Sequence, residues 1–212
     1  MTFKEKFWRL IFLALQRYRI IPKSPLNYAK LSQKINICLL YTCIKNLSGV
    51  IVECGVAEGH GLAVLKILSL AEGKAREIYG FDTFCGLPTP SVFDKRGAKG
   101  WFGYTKSSVI QFFKDTGVSL DNVFLIEGDI QDTLKAFNQP IAFLHIDVDL
   151  YKGYKVALEI LWDKVVKGGV VVLDDYNDKS WIGAKKAVDE FIEKRGIVIH
   201  KVEFANKSYL IK

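Results

Sequence analysis

The chain has 212 residues, half of them hydrophobic and a quarter charged, with a formal net charge of +7. That size and balance exclude a disordered polypeptide and a pair of ordinary domains; they suit one α/β domain with an appendage. The positive charge would favour acidic partners, yet Lys and Arg are scattered without a basic block, so charge alone identifies none. Phe3 to Tyr18 reads as an amphipathic helix, with Phe7, Leu10 and Ile11 on one stripe and Lys4, Arg9, Gln16 and Arg17 opposite. The stripe can pack on its own domain, on a second subunit to give a homodimer, or on a membrane surface. Lys4, Lys6 and Arg9 precede the apolar run Leu10 to Leu15 in the manner of a signal peptide. The run is short, Gln16, Arg17 and Arg19 follow it, and no small-residue cleavage site appears. No stretch approaches the ~20 apolar residues of a membrane span. The expectation is a soluble, cytoplasmic protein. Cys38, Cys43, Cys54 and Cys85 lack zinc-type spacing and fit thiols, mostly buried, in a reducing compartment.

Pro22 and Pro25 break the chain before a second helix, Leu26 to Leu47, that ends at Ser48-Gly49. Residues 1–48 are thus a helical extension and 49–212 the main domain. From Val50 strands and helices alternate. Strands are predicted at Val50–Glu53, Ile78–Phe81, Val123–Ile126, Ile141–Ile146 and Val170–Leu173. Helices are predicted at Leu62–Leu70, Ser107–Thr116, Gln131–Phe137, Tyr154–Val165 and Gly183–Lys194. Lys167-Gly168-Gly169 reads as a turn, and Ile197–Phe204 with Ser208–Ile211 as a closing hairpin around Ala205-Asn206-Lys207. The alternation implies a Rossmann-like α/β fold: a mostly parallel sheet, helices on both faces, and an antiparallel C-terminal hairpin. The loop from Thr83 to Lys106, rich in Gly, Pro and aromatic residues, is of a length found in functional lids or in disordered segments.

In such a sheet the binding crevice lies beyond the carboxyl ends of the strands. Glu53, Asp82, Asp129, Asp147 and Asp174 all close strands there. The turn Glu53-Cys54-Gly55-Val56-Ala57-Glu58-Gly59-His60-Gly61 lets backbone approach a ligand, but it is not GxGxxG. A carboxylate in that loop would repel a pyrophosphate and suit an ammonium and a sulfonium, as in S-adenosylmethionine. Asp82 is placed to accept from ribose hydroxyls, and Asp129, in Glu127-Gly128-Asp129-Ile130, from an adenine amino group. Two apolar strands end in paired carboxylates, Asp147 with Asp149 and Asp174 with Asp175. Four acids at one edge repel one another unless a cation sits among them, so a divalent metal site is expected. His145, mid-strand, reads as a buried hydrogen-bonded histidine; His60 as a residue near the donor; His200 as structural. Trp101, Phe102 and Tyr104 either cover the acceptor or anchor their loop. Tyr151 and Tyr176 are candidate acceptor contacts.

The segments ECGVAEGHG, GFDTFCGLP, HIDVDLY and GGVVVLDDY, between Val50 and Tyr176, resemble the macrocin O-methyltransferase family. These are class I methyltransferases acting on sugar hydroxyls of natural products, with relatives acting on phenols. The resemblance implies S-adenosylmethionine and Mg²⁺ as cofactors. It implies Asp147, Asp174 and Asp175 as metal ligands and Asp149 as general base. It also implies a donor site of Glu53, Gly55, Asp82, Thr83, Gly128, Asp129, Ile130 and Asp147. Family members commonly carry an aromatic residue and an arginine where this chain has Ala57 and Glu58. The expected partner is a small-molecule or glycan acceptor, not nucleic acid. Alternatives are a nucleotide-dependent oxidoreductase and a non-catalytic protein of the same fold.

Overall fold

The computed structural model describes residues 28–202 and 207–212. The predicted helix Phe3–Tyr18 and the turn residues Ala205 and Asn206 lie outside them. Helices α1 (Tyr28–Tyr41), α2 (His60–Glu72), α3 (Lys106–Thr116), α4 (Ile130–Thr133), α5 (Tyr151–Leu161) and α6 (Ile182–Arg195) alternate with strands. The strands are β1 (Val50–Cys54), β2 (Ile78–Asp82), β3 (Val123–Glu127), β4 (Ile141–Ile146), β5 (Val165–Leu173), β6 (His200–Val202) and β7 (Lys207–Ile211). They form one sheet in the order β3-β2-β1-β4-β5-β7-β6. β1 to β5 run parallel, and β7 returns antiparallel between β5 and β6. The order reverses between β1 and β4, which opens a crevice beyond their carboxyl ends.

The central strands are apolar on both faces because both faces are covered. Val52, Leu144, Ile146, Val171 and Leu173 meet α5 and α6 through Tyr154, Leu158, Leu161 and Val188. Ile51, Phe143, Val170 and Val172 meet α1 and α2 through Ile37, Tyr41, Leu62 and Leu65. Cys38 and Cys54 are core thiols; Cys43 and Cys85 are exposed, Cys43 because it sits in the 3₁₀ turn after α1. No helix among the described residues is long and apolar enough to cross a membrane.

Arg76 ties the entry to the domain together. Its guanidinium donates to the carbonyls of Gly49 (2.9 Å), Leu47 (2.9 Å) and Ile44 (3.2 Å). It also grips Glu72 through both carboxylate oxygens, at 2.8 and 2.9 Å, and the Tyr41 hydroxyl donates to Glu72 at 2.9 Å.

Several boundaries differ from expectation. The helix predicted from Leu26 to Leu47 leaves the α form at Tyr41 for the 3₁₀ turn Thr42–Ile44. The helix predicted from Tyr154 to Val165 begins at Tyr151 and ends at Leu161, followed by the 3₁₀ turn Trp162–Lys164. Gly168 and Gly169 are not a turn before the strand but part of β5: the Gly168 N–H donates to Lys212 O (2.8 Å) and the Lys212 N–H to Gly169 O (3.0 Å). The chain's last residue thus extends the ladder past the glycines. β6, an edge strand described over His200–Val202, begins at His200 and not at the predicted Ile197; Glu203 and Phe204 lie outside the described residues.

Candidate active site

The loop after β1 is built by Asp82 at the end of β2. Its Oδ2 accepts from the N–H groups of Val56 (2.7 Å) and Ala57 (2.9 Å), and its Oδ1 from Phe84 N–H (2.8 Å). Gly55 turns through a positive φ of 88°, and a Cβ there would lie 1.9 Å from the Asp147 carbonyl, so the loop lies directly on the end of β4. Gly128 donates its N–H to Asp82 O at 2.9 Å, and Asp129 caps α4 by accepting from Gln131 N–H at 2.9 Å.

Beyond this loop lies a cavity of ≈ 430 Å³, within the usual span for small-molecule sites. Of the predicted donor residues, Gly55, Asp82, Thr83, Asp129, Ile130 and Asp147 line it, and Asp149 lines it further along. Gly128 stands behind the wall, and so does Glu53. The Glu53 carboxylate, only 1 % exposed, is turned to His145 instead of the loop, with Oε1 2.8 Å from Nδ1. Glu53 and His145 are register partners on β1 and β4, and Gly61 leaves the room the carboxylate fills. A Cβ on Gly61 would come within 2.0 Å of Oε1. Gly61→Ala is therefore expected to destabilise the fold by ~1–3 kcal/mol through overpacking, read from urea unfolding midpoints.

The long loop is pinned rather than loose. Leu87 N–H donates to Trp101 O (2.8 Å) and Gly100 N–H to Leu87 O (2.9 Å). Asp94 accepts from Ser91 N–H (2.8 Å) with one oxygen and from Tyr151 N–H (2.9 Å), at the start of α5, with the other. Trp101 and Phe102 line the cavity while 44 % and 50 % exposed; Tyr104 stands outside its wall. Tyr151 and Tyr176 do not reach it. Their hydroxyls donate to Glu190 (2.7 Å) and Asp189 (2.8 Å), because α6 packs alongside and offers those carboxylates. His60 pairs with Glu58 at 3.0 Å and packs edge-on to Phe112.

Pairing of β4 with β5 sets Ile146 opposite Leu173, so Asp147 and Asp174 leave the sheet side by side. The pleat then separates Asp174 from Asp175, because successive residues point to opposite faces. Asp174 shares a face with His145, Asp147 and Lys207. Asp175 points to the α5 face, where its Oδ2 accepts from the Tyr154 hydroxyl (2.9 Å) and Asp149 N–H (3.0 Å). Among the described residues, His145, Asp147 and Asp174 are the one group of three such side chains with donor atoms within 4.8 Å of one another. The structure therefore turns Asp175 to the other face from Asp147 and Asp174 and brings His145 beside those two. It also brings in two residues the sequence did not single out, Gln33 and Lys207. Gln33 Nε2 donates to Asp147 Oδ2 at 2.7 Å, and Lys207 Nζ donates to Asp174 Oδ2 at 2.8 Å.

Charge crowding dominates the electrostatics. Burial, then Asp147 and Asp174, push Asp149 up to about 8. Burial, then the charges of Asp174 and Asp175, push Asp147 well above the carboxylate range. Asp174 is held below its ordinary value: burial opposes its charge, but His145 and Lys207 outweigh that. Asp149 also has a positive φ of 58°, as do Ala57 (46°) and Phe102 (58°) in the same wall. Such non-glycine conformations cost energy and gather at functional sites.

The family model described as macrocin-O-methyltransferase (TylF) matches residues 29–205. The demethyldecarbamoylnovobiocin O-methyltransferase of Streptomyces niveus is 28 % identical over 172 residues, 76 % of this chain and 65 % of that protein. The 8-demethyl-8-(2,3-dimethoxy-alpha-L-rhamnosyl)-tetracenomycin-C 4'-O-methyltransferase of Streptomyces olivaceus is 28 % identical over 153 residues, 67 % of this chain and 58 % of that one. The chain thus spans less than two thirds of the length of either relative. The solved O-methyltransferase NovP superposes with a TM-score of 0.78 at 24 % identity, over 86 % of this chain and 80 % of its own. A match over most of the chain, on a sheet of this order and with the acidic strand ends in place, makes the protein a member of the macrocin O-methyltransferase family.

Proposed function

We propose that the protein is an S-adenosylmethionine-dependent O-methyltransferase acting on a sugar hydroxyl of a small molecule or glycoconjugate, with a divalent cation at the β4–β5 edge. The observation that carries this is one continuous cavity, with the Asp82-shaped loop and Asp129 along its wall and Asp149 further on. An acid-lined cavity suits a cationic ligand and disfavours the pyrophosphate of a dinucleotide. The bound donor would supply an electrophilic methyl group on a sulfonium. Asp82 and Asp129 would hold its nucleoside, and the Gly55 turn would let it lie against backbone. Asp149 would take the proton from the acceptor hydroxyl; a buried carboxylate with a raised pKa is a stronger base than an ordinary one. Trp101 and Phe102 would shield the acceptor from water.

The side chains fit a cation. The buried Asp174 Oδ1 has no hydrogen-bond partner, and Asp147 stands beside it. Asp147 and Asp174 would hold the ion, and Mg²⁺ is the one the family resemblance implies. A dication there would stabilise negative charge developing on the acceptor oxygen. The sugar acceptor is suggested by the rhamnosyl compound after which the Streptomyces olivaceus relative is named.

Calorimetry with S-adenosylhomocysteine, with and without Mg²⁺, tests this on wild type and Asp174→Asn. Asp174→Asn should keep nucleoside binding while losing cation binding and turnover. Absence of S-adenosylhomocysteine binding by wild type, or binding of NAD in its place, would overturn the methyltransferase reading in favour of an oxidoreductase.

A further inference from the structure

We propose that the rim of the cavity, from Val92 to Tyr104, is a docking surface for an anionic lipid bilayer. The inference goes beyond the methyltransferase reading and does not depend on it.

The first argument is where exposed apolar side chains collect. Among the described residues ten large hydrophobic side chains are exposed, and five of them, Val92, Phe93, Trp101, Phe102 and Tyr104, belong to this one loop. Val92 is 93 % exposed and Phe93 41 %. Single exposed apolar residues are ordinary, whereas a cluster marks an interaction site. Trp101 packs edge-on to Phe102, Phe102 packs edge-on to Trp181, and Phe93 leans on Tyr151 at the start of α5. Ser91, Asp94, Trp101 and Phe102 all line the cavity, so the cluster borders its mouth.

The second argument is charge. Between Val92 and Tyr104 the chain has three cations, Lys95, Arg96 and Lys99, and one acid, Asp94. The acid is turned inward. Its Oδ2 accepts from the Ser91 N–H and hydroxyl, and its Oδ1 from the Tyr151 N–H. The three cations are exposed, so the charge this loop presents outward is positive. Arg96 also lies over the ring of Trp181, 5.4 Å from its centroid, at the level of the aromatic cluster. Rings beside lysines and arginine are what a membrane interface selects: the rings settle among the head groups and the cations attract anionic lipid. The core of a protein–protein interface is instead depleted of lysine.

The third argument is that the surface is built in advance. The hydrogen bonds joining Leu87 to Trp101 and Gly100 pin the two sides of the loop. Phe102 is held at a positive φ of 58°, so backbone energy is spent to keep a half-exposed ring at the rim. A preformed surface loses little freedom on docking. Seated on a bilayer, it would bring the mouth of the cavity to the level of the lipid head groups.

The test sediments the full chain with phosphatidylcholine vesicles, with and without phosphatidylglycerol. Binding is expected to need phosphatidylglycerol and to weaken as salt rises. Val92→Asp should leave folding intact, because that side chain stands in solvent, and should lower the partition coefficient at least ~10-fold. Lys95→Gln combined with Lys99→Gln should lower it about fivefold for each cation lost. Brominated phosphatidylcholine in the same vesicles should quench tryptophan fluorescence; Trp101→Phe should remove most of that quenching and Trp8→Phe should not. Absence of binding to the anionic vesicles, or binding indifferent to Val92→Asp, would overturn the proposal. Quenching lost with Trp8→Phe alone would move the contact to the N-terminal segment and overturn it too. A dimer that Val92→Asp splits, with no vesicle binding, would assign the patch to a second copy of the chain. S-adenosylhomocysteine is titrated into the same protein. Nucleoside binding without vesicle binding removes this inference and leaves the methyltransferase reading standing; vesicle binding without nucleoside binding does the reverse.

Discussion

Asp149→Asn is expected to reduce kcat by ~10²–10⁴-fold, the range a general base contributes, with S-adenosylhomocysteine affinity unchanged. Asn keeps the size and the left-handed backbone of Asp149 but cannot accept a proton, so the loss falls on chemistry and not on binding. The assay is transfer of a labelled methyl from S-adenosylmethionine to a rhamnoside acceptor. In the wild type the rate should climb as pH rises toward about 8, because the base works only when ionised, and a bound cation should move that limb to lower pH. The same group affects stability with a definite sign. Its folded pKa, about 8, lies above its ordinary 3.8, so its contribution is full below 3.8 and is lost as pH rises toward 8. Asp149→Asn should flatten that decline, read from urea midpoints across the interval.

Arg76→Met should be the most damaging change to folding, costing ~3–5 kcal/mol, because it leaves a buried carboxylate with only the half-exposed Lys74, 3.3 Å away, as its cation. Both side chains of the Arg76–Glu72 pair are 4 % exposed. The carbonyls of Ile44, Leu47 and Gly49 each lose a donor as well. Arg76→Lys should recover only part of the loss, since one ammonium cannot reproduce a forked grip on Glu72 together with three carbonyls. Burial works to raise Glu72, but its hydrogen bonds from Arg76 and Tyr41 outweigh that and hold it below its ordinary value. Its stabilising contribution is therefore present above the ordinary glutamate pKa and lost as pH falls through the folded value. Acid titration of unfolding free energy should lose that component in Arg76→Met.

Long apolar runs made the parallel strands legible, because a strand buried on both faces leaves no alternation to misread. The strand-closing acids were legible for the same reason: each marks the point where an apolar run ends at the carboxyl edge of the sheet. What the sequence did not disclose was which face each acid takes. Asp174 and Asp175 look equivalent as letters, and one residue of pleat places them on opposite sides of the sheet. Glu53 was misjudged similarly; its register partner His145 lies far along the chain, and only strand pairing sets them together. Gln33 and Lys207 carry no local motif. They matter because α1 brings Gln33 to Asp147 and β7 begins beside the carboxyl end of β5. The start of β5 was hidden by Gly168 and Gly169, whose turn-like appearance conceals a ladder continued by Lys212.

The left-handed turn at Asp149 limits what laboratory evolution can install there. Most side chains pay ~1–2 kcal/mol in that region of backbone space, while Gly, Asn and Asp enter it readily. A saturation library at 149 sorted for folded protein should therefore return mostly those three. A glutamate, one methylene longer, would gain a foothold only beside a second mutation that relaxes the bend.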